Sequence, residues 1–234
     1  MSGNASSCSI CKGAGYLRAN VPYGHPQFGK PVACACKEAE RAEKRRQQLS
    51  DLSNLAAFRD KGFANFNKRV PGLQEAFREA TTFAQRPTDW LLLVGPNGCG
   101  KTHLAAAIAN QCLLQGLLVL FVIAPDLLDH LRATFSPSST VAYDEQFWLV
   151  REAEVLVIDD LGAEQSTPWA GEKLFQLFNH RYNWHLPTVI TTNNLGLITV
   201  DARISSRLSD TSLVRKVTIN MAGDYRPHQS PPKL

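Results

Sequence analysis

The chain has 234 residues, is 44% hydrophobic and carries a formal net charge of +4, so it can bury one sizeable core, and its charge allows nucleic-acid binding without requiring it. No apolar run approaches the roughly 20 residues of a transmembrane helix, and the polar N-terminus lacks the apolar region of a signal peptide. The pattern therefore excludes an integral membrane protein, and we expect a cytoplasmic location with no membrane partner.

The first predicted element is a cysteine-rich segment covering residues 1–37. Four of the six cysteines fall here in two short-spaced pairs: Cys8 with Cys11, and Cys34 with Cys36. Without a secretory signal, such pairs favour a metal over disulfides, and four thiolates can complete a tetrahedral Zn²⁺ site. So short a segment buries little core, and zinc would be what folds it. A redox pair, unliganded thiols, or His25 in place of one thiol remain alternatives.

A charged linker helix is predicted next, over residues 38–62. It opens with "KEAERAEKRRQQLSDLSNLAAF", which is dense in helix-forming and charged residues. Its basic run is typical of a solvated helix face, and a contact with nucleic acid or a partner protein is the alternative.

An α/β domain is predicted over residues 63–226, followed by a flexible tail at 227–234. Nearly continuous apolar runs predict strands buried on both faces, at 90–94, 117–123, 155–158, 188–192 and 213–219. Helical patterns fall between them, at 71–85, 102–115, 125–135, 168–183 and 199–209. This alternation predicts a parallel sheet with helices on each side.

The sequence "GPNGCGKT" between the first strand and its helix fits G-x-x-x-x-G-K-[ST] at every position. Glycines allow main-chain N–H groups to converge on phosphate oxygens, and the positive end of the helix dipole points at the same anion. Lys101 would reach the β- and γ-phosphates, and the Thr102 hydroxyl would ligate Mg²⁺. Cys99 is interpreted as a small loop residue and not as a nucleophile. The predicted nucleotide contacts are Gly95, Pro96, Asn97, Gly98, Cys99, Gly100, Lys101, Thr102, His103 and Asp159.

Two acids end the apolar run of "EVLVIDDLG", at the edge where α/β sheets collect their ligands. Asp159 is predicted to hold Mg²⁺, directly or through water. Asp160 is predicted to orient or deprotonate the attacking water.

Polar groups after the next strand supply two further candidates. In "TVITTNN", Asn193 or Asn194 could hydrogen-bond the γ-phosphate or the water, with Asn193 preferred, although paired asparagines are also ordinary turn residues. In "DARISSRLSD", Arg203 and Arg207 share one helix face and could stabilise transition-state charge, or be solvated arginines.

Together these residues resemble the AAA+ ATPases, and within them the replicative helicase loaders of the DnaC/DnaI type and the related IstB transposition helpers. The resemblance covers about 170 residues, through the segments "FANFN", "GLQEAF", "GPNGCGKTHLAAAIAN", "APDLLDHLRATF", "VLVIDDLGAE", "EKLFQLFNHRYN", "TVITTNN" and "RISSRL". It implies a P-loop AAA+ three-layer sandwich. The chain ends soon after "VTINMAGDYR", so a helical lid domain is expected to be missing.

The resemblance also implies roles. Arg207 becomes an arginine finger acting across a subunit interface, with Arg203 supporting it, so that self-association completes the site. The strand ending at Asn193 is expected between the phosphate-loop strand and the Asp159 strand. Many AAA+ proteins carry Asp-Glu where this chain has Asp159-Asp160, and the loader relatives often show the double aspartate, so the resemblance still implies an ATPase.

The function implied is an ATP-dependent loader that holds single-stranded DNA and a replicative DNA helicase, with ATP, Mg²⁺ and Zn²⁺ as cofactors. The cysteine-rich segment and the basic helix would contact the helicase, because their layout resembles the helicase-binding domain of DnaI-type loaders. Two alternatives stay open: a transposition helper acting with a transposase on duplex DNA, and a non-hydrolysing nucleotide-gated DNA-binding module.

Overall fold

The computed structural model describes four stretches of the chain: residues 8–134, 143–163, 167–193 and 199–220. The described residues divide into two compact units, one within Met1–Gln48 and the other within Leu49–Leu234. The predicted tail at 227–234 lies outside the described residues. The domain limits and the absence of a helical lid domain stay predictions.

The first unit contains a short antiparallel hairpin of strands β1 (Tyr16–Arg18) and β2 (Pro31–Ala33). Sequence patterning missed both strands, because three residues with exposed or half-exposed side chains show no hydrophobic alternation. Helix α1 (Ala35–Leu52) follows and carries the chain into the second unit. It is shorter than the predicted linker helix, because Ser53 caps a separate 3₁₀ helix over Asn54–Phe58.

The second unit is built on a five-stranded sheet in which every neighbouring pair is parallel, with the order β4-β5-β6-β3-β7. Its strands are β3 (Trp90–Val94), β4 (Val119–Ile123), β5 (Val155–Leu161), β6 (Thr188–Thr192) and β7 (Val214–Thr218). The predicted parallel α/β fold is confirmed, and so is the expected place of β6 between β5 and β3.

The apolar runs of the strands are continuous because this sheet has a hydrophobic core on each face. In β3, Trp90, Leu92 and Val94 enter one core, and Leu91 and Leu93 enter the other. Since successive strand residues point to opposite faces, both faces must be covered for the whole run to be buried.

Helices cover both faces. They are α2 (Gln74–Gln85), α3 (Lys101–Leu114), α4 (Ala124–Ala133), α5 (Tyr143–Arg151), α6 (Pro168–Asn183) and α7 (Ala202–Leu208). Helices α2 and α3 bury their side chains in one core, and α4 to α7 bury theirs in the other. Helix α5 was not predicted, since its nine residues are too few to show a clear helical period. Over the part of the chain that the structure describes, no helix is long and apolar enough to cross a membrane.

Candidate nucleotide-binding site

The glycine-rich loop joins the end of β3 to the start of α3, and two of its glycines are required by their surroundings. A Cβ on buried Gly95 would lie 2.9 Å from the Ile219 carbonyl oxygen, too close for any other residue. Gly100 has φ +99°, in the left-handed region that favours glycine, and a Cβ there would lie 3.0 Å from the Phe66 ring. The backbone geometry of the loop therefore depends on residues without side chains.

Lys101 begins α3 and is buried, although it carries an ammonium group. Its Nζ donates to the carbonyl oxygens of Gly95 and Pro96, each at 2.9 Å. An ammonium has three donors, so these two bonds leave it able to donate to a phosphate oxygen as well. A buried cation and a helix N-terminus beside a loop that requires glycine at two positions together fit the phosphates of a nucleotide.

Asp159 lies in β5 beside this loop, with only 4% of its surface exposed. Thr102 Oγ1 donates to its Oδ2 at 2.9 Å, and Thr191 Oγ1 donates to its Oδ1 at 2.6 Å. Burial raises the pKa of the Asp159 carboxyl, and the two hydroxyls partly oppose that rise. A hydroxyl bonded to a carboxylate at the phosphate loop fits Mg²⁺, which binds oxygen ligands.

Asp160 has φ +60°, which is uncommon for a residue with a side chain. The register between β5 and β6 shifts between Ile158 and Leu161, and the Asp160 N–H donates to Thr191 Oγ1 at 2.9 Å. Such bulges re-aim a side chain and occur often beside active sites. Asp160 is half-exposed, unlike its buried neighbour Asp159.

Asn193 follows β6 directly and is half-exposed. The Gly95 N–H donates to the Thr192 carbonyl at 3.2 Å, so the end of β6 adjoins the start of the phosphate loop. The structure thus brings the loop, the two aspartates and Asn193 to one edge of the sheet. Asn194 lies outside the described residues, so the choice of Asn193 stays a prediction.

Arg207 is held by its own chain. Its guanidinium donates to Asn179 Oδ1 of α6 and, at 2.8 Å, to the Arg203 carbonyl. It also lies over the rings of Phe175 at 4.9 Å and Tyr182 at 5.5 Å. These contacts hold Arg207 on the α6–α7 surface, and none of them involves the phosphate loop of the same chain. Its role as an arginine finger across a subunit interface stays a prediction.

Arg203 is engaged separately. It donates to both carboxylate oxygens of Asp201 at 3.0 and 2.9 Å, and to Glu172 at 3.2 Å. These acids raise the pKa of its guanidinium further above its ordinary value. Arg203 therefore forms an ion-pair cluster on the surface beside Arg207.

His103 lies at the start of α3, where its Nε2 is 3.0 Å from the Gly62 carbonyl oxygen and 3.2 Å from Asn65 Oδ1. Burial lowers the pKa of its imidazole, which keeps the ring neutral. The contacts anchor the segment before α2 to α3. A contact of His103 with nucleotide stays a prediction.

The sequence did not predict two residues that contact the predicted site residues. Thr191 bonds Asp159 and supports the Asp160 backbone, and Asn179 holds Arg207. Thr191 left a signal, since a threonine inside a buried apolar strand needs a hydrogen-bond partner. Asn179 left none, because nothing in the sequence of α6 indicates that α7 packs against that position.

The four cysteines of the first unit are brought together by the hairpin, and their sulfur atoms all lie within 4.8 Å of one another. Sγ atoms are 3.8 Å apart in Cys8 and Cys34, and 3.4 Å apart in Cys11 and Cys36. Tetrahedral zinc with Zn–S bonds of about 2.3 Å requires sulfurs about 3.8 Å apart. Backbone N–H groups lower the pKa of Cys8 to about 6, which favours its thiolate, whereas the adjacent Cys11 thiol raises the pKa of Cys36 to about 12. The geometry of the four sulfurs therefore carries the assignment. The four thiols fit a zinc ion.

The structure also describes His25 and Cys99, for which the sequence analysis gave interpretations. His25 is exposed and its Nδ1 accepts from the Gln27 N–H, so its ring is not part of the four-thiol cluster. Cys99 is buried in the second unit, where burial raises the pKa of its thiol. A buried, protonated thiol agrees with the interpretation of Cys99 as a small loop residue.

Comparison with known proteins also indicates nucleotide binding, in agreement with the geometry of the site. The sequence profile of the family described as IstB-like ATP binding protein matches residues 34–217. The ATP-binding protein of insertion sequence IS5376 from Geobacillus stearothermophilus is 29% identical over 199 residues, which cover 81% of this chain and 77% of that protein. The replicative helicase loader DnaC of Escherichia coli K12 is 25% identical over 167 residues, which cover 70% and 68% respectively.

A solved structure shares the fold. The crystal structure of the DnaC helicase loader superposes with a TM-score of 0.59 and 22% identity, covering 70% of this chain and 98% of that one. Similarity at this level of identity establishes the P-loop AAA+ fold of the second unit.

Proposed function

The chain belongs to the family of IstB-like ATP-binding proteins, and on that basis we propose that it is an ATPase that loads a replicative DNA helicase onto single-stranded DNA. The observation that supports the nucleotide part is the joint geometry of Lys101, Thr102 and Asp159 at the end of the phosphate loop. The relative DnaC, which is a replicative helicase loader, supports the choice of partner.

In the proposed mechanism, main-chain N–H groups of residues 95–102 and the Lys101 ammonium bind the phosphates of ATP. Thr102 and Asp159 would hold Mg²⁺, which when bound neutralises charge on the β- and γ-phosphates. Asp160 accepts a proton from water as the water oxygen forms a bond to the γ-phosphorus. The bond from that phosphorus to the β–γ bridging oxygen breaks, and the electron pair leaves with ADP. Asn193 positions the water or the γ-phosphate.

Arg207 completes the site in a neighbouring chain by approaching the developing negative charge of the phosphoryl group. Because its contacts in the present chain come from α6 and α7, the proposal requires self-association. The ATP-bound assembly holds DNA and helicase in the cytoplasm, and hydrolysis releases them.

The proposed ATPase is tested by measuring phosphate release from purified protein with and without single-stranded DNA. We expect Lys101→Ala to lose nucleotide binding, and Asp160→Ala to bind ATP but lose turnover. Turnover at background in the native protein, unchanged by Asp160→Ala, would instead support a non-hydrolysing nucleotide-gated DNA-binding module.

A transposition helper is the second candidate, favoured by the family profile and by the relative encoded in an insertion sequence. The four-cysteine cluster supports the loader, because helpers are usually built without one. Pull-down of the purified protein with a hexameric replicative helicase and, separately, with a transposase discriminates between them. Retention of the transposase alone would refute the loader.

A further inference from the structure

The positive charge of the protein is concentrated in its first unit. Residues 1–48 contain eight lysines and arginines and three glutamates, a net charge of +5, and the remaining residues contain 17 basic and 18 acidic residues, a net charge of −1. No aspartate or glutamate precedes Glu38. A zinc ion with four thiolates contributes −2, so the unit keeps a net charge of +3 when metal is bound. Charge segregated in this way favours a polyanionic ligand.

Aromatic rings are exposed on the same unit and are interleaved with arginines. Tyr23 is 91% exposed, Tyr16 is 42% exposed and Phe28 is 38% exposed. The Tyr23 and Phe28 rings meet edge to face with centroids 5.4 Å apart, and the Arg18 guanidinium lies 5.3 Å from the Phe28 centroid. Arg41 donates to the Tyr16 hydroxyl at 3.0 Å. We call this set, Tyr16, Arg18, Tyr23, Phe28 and Arg41, the aromatic–basic face.

The contacts make the face continuous. Tyr16 and Arg18 are two residues apart in β1, so their side chains leave the strand on the same side. The Arg18 guanidinium contacts the Phe28 ring, which in turn contacts the Tyr23 ring. At the other end, Arg41 of α1 donates to the Tyr16 hydroxyl. The result is a row of rings with a cation at its centre and another at its end.

We propose that the aromatic–basic face binds single-stranded DNA, with bases stacked on Tyr23 and Phe28 and phosphates paired with Arg18 and Arg41. Exposed rings stack on bases of any sequence, and a single strand presents those base faces whereas a duplex hides them. The inference rests on the proposed function for the identity of the DNA, but the contact itself requires no ATP. The helicase, the partner that the resemblance implies for this segment, is the other occupant that the test distinguishes.

The test uses the full-length, zinc-loaded protein and a fluorescently labelled oligothymidylate strand, with anisotropy measured at low salt and without nucleotide. Tyr23→Ala and Phe28→Ala should each weaken binding by about fivefold or more. Arg18→Gln should weaken binding and reduce the slope of log K against log salt by about 0.7. Tyr23→Phe, which keeps the ring, should bind as the native protein does.

Matched controls separate this surface from the nucleotide site. Trp184→Ala removes a ring that is 70% exposed on the second unit and should leave binding unchanged. Lys101→Ala should lose ATP binding and keep the nucleotide-independent affinity for DNA, so that failure of the ATPase and failure of the face are distinguishable. Zinc content of each variant verifies that the first unit is folded.

Three results would overturn the proposal. One is native affinity in Tyr23→Ala and Phe28→Ala variants that retain zinc. Another is equal affinity of the native protein for duplex and single-stranded DNA, since stacking on exposed bases would then be irrelevant. The last is loss of helicase binding in the two variants with no loss of DNA binding, which would assign the face to the helicase.

Discussion

At the scale of single residues, Asp159 combines burial with negative charge. The residue is 4% exposed, and its carboxyl accepts from two threonine hydroxyls and has a pKa raised by burial. The folded protein therefore holds this proton more strongly than the unfolded chain does. The group contributes stability below its unfolded pKa and loses that contribution as the pH rises through the folded pKa. Without a cation, ionisation of Asp159 therefore opposes folding.

Asp159→Asn should therefore leave the melting temperature of the ligand-free protein unchanged or raise it. Mg-ATP at 100 times its Kd should stabilise the native protein by about 3 kcal/mol. This stabilisation should be lost in Asp159→Asn, which lacks the carboxylate. In the native protein, the Mg²⁺-dependent affinity for ATP should fall on acidification at a pH above the ordinary aspartate pKa of about 3.9. Differential scanning fluorimetry and nucleotide titrations check both. A normal Mg-ATP shift in Asp159→Asn would contradict the assignment, and Thr102→Ser, which keeps the hydroxyl, serves as control.

Asn179 is a positioning residue for Arg207, because its amide oxygen accepts from the guanidinium. Asn179→Ala should lower kcat for ATP hydrolysis by about tenfold, equivalent to about 1.4 kcal/mol of barrier, and leave KM unchanged. The matched control is Gln176→Ala on the same helix, since Gln176 bonds Glu172 and Lys173 instead of Arg207. If KM rose and kcat did not change, Asn179 would have no part in placing the arginine.

At the scale of elements, the phosphate loop depends on close packing against Ile219, the residue that follows edge strand β7. Gly95→Ala should destabilise the protein by about 1–3 kcal/mol, because the new Cβ would lie 2.9 Å from the Ile219 carbonyl and 3.1 Å from Cys99 Sγ. Gly62→Ala is the control, since its Cβ would meet nothing nearer than Asn65 Oδ1 at 3.9 Å. Chemical denaturation measures both, and equal stabilities would show that the loop moves aside.

The hairpin of the first unit is too small to be held by a hydrophobic core, so metal should hold it. We expect about one zinc ion per chain, and its removal by a chelator should unfold the first unit while the sheet of the second unit stays folded. Cys34→Ser should release zinc, whereas Cys112→Ala, at a thiol buried in the second unit, should retain it. Metal analysis and circular dichroism test this. Full zinc occupancy in Cys34→Ser would contradict the four-thiol site.

At the scale of the whole molecule, the proposed site is divided between two chains. A Lys101→Ala chain keeps Arg207, and an Arg207→Ala chain keeps an intact phosphate loop. Each variant alone should be inactive, and a mixture of the two should recover part of the ATPase rate, because some interfaces then pair a native loop with a native arginine. Turnover that depends on protein concentration gives a second measure. Failure of the mixture to exceed either variant would mean that Arg207 does not act between chains.

Some of the architecture could be predicted because its causes are local. Strands β3 and β6 match their predicted limits, since burial on both faces requires an apolar residue at every position. Helix α5 and the β1–β2 hairpin were missed, because both are short and their side chains follow no regular pattern. Helix α1 ends earlier than predicted because the Ser53 hydroxyl bonds the backbone of Phe121, 68 residues away.

The sequence by itself determined the phosphate loop, the acidic strand end and the cysteine pairs, because each chemistry needs particular residue types within a few positions of one another. Tertiary structure alone decided what surrounds them. Thr191 reaches Asp159 across 32 residues and Asn179 reaches Arg207 across 28, through the pairing of β5 with β6 and the packing of α6 with α7. Contacts between distant residues follow from how strands and helices pack, and the spacing of residues along the chain does not encode them.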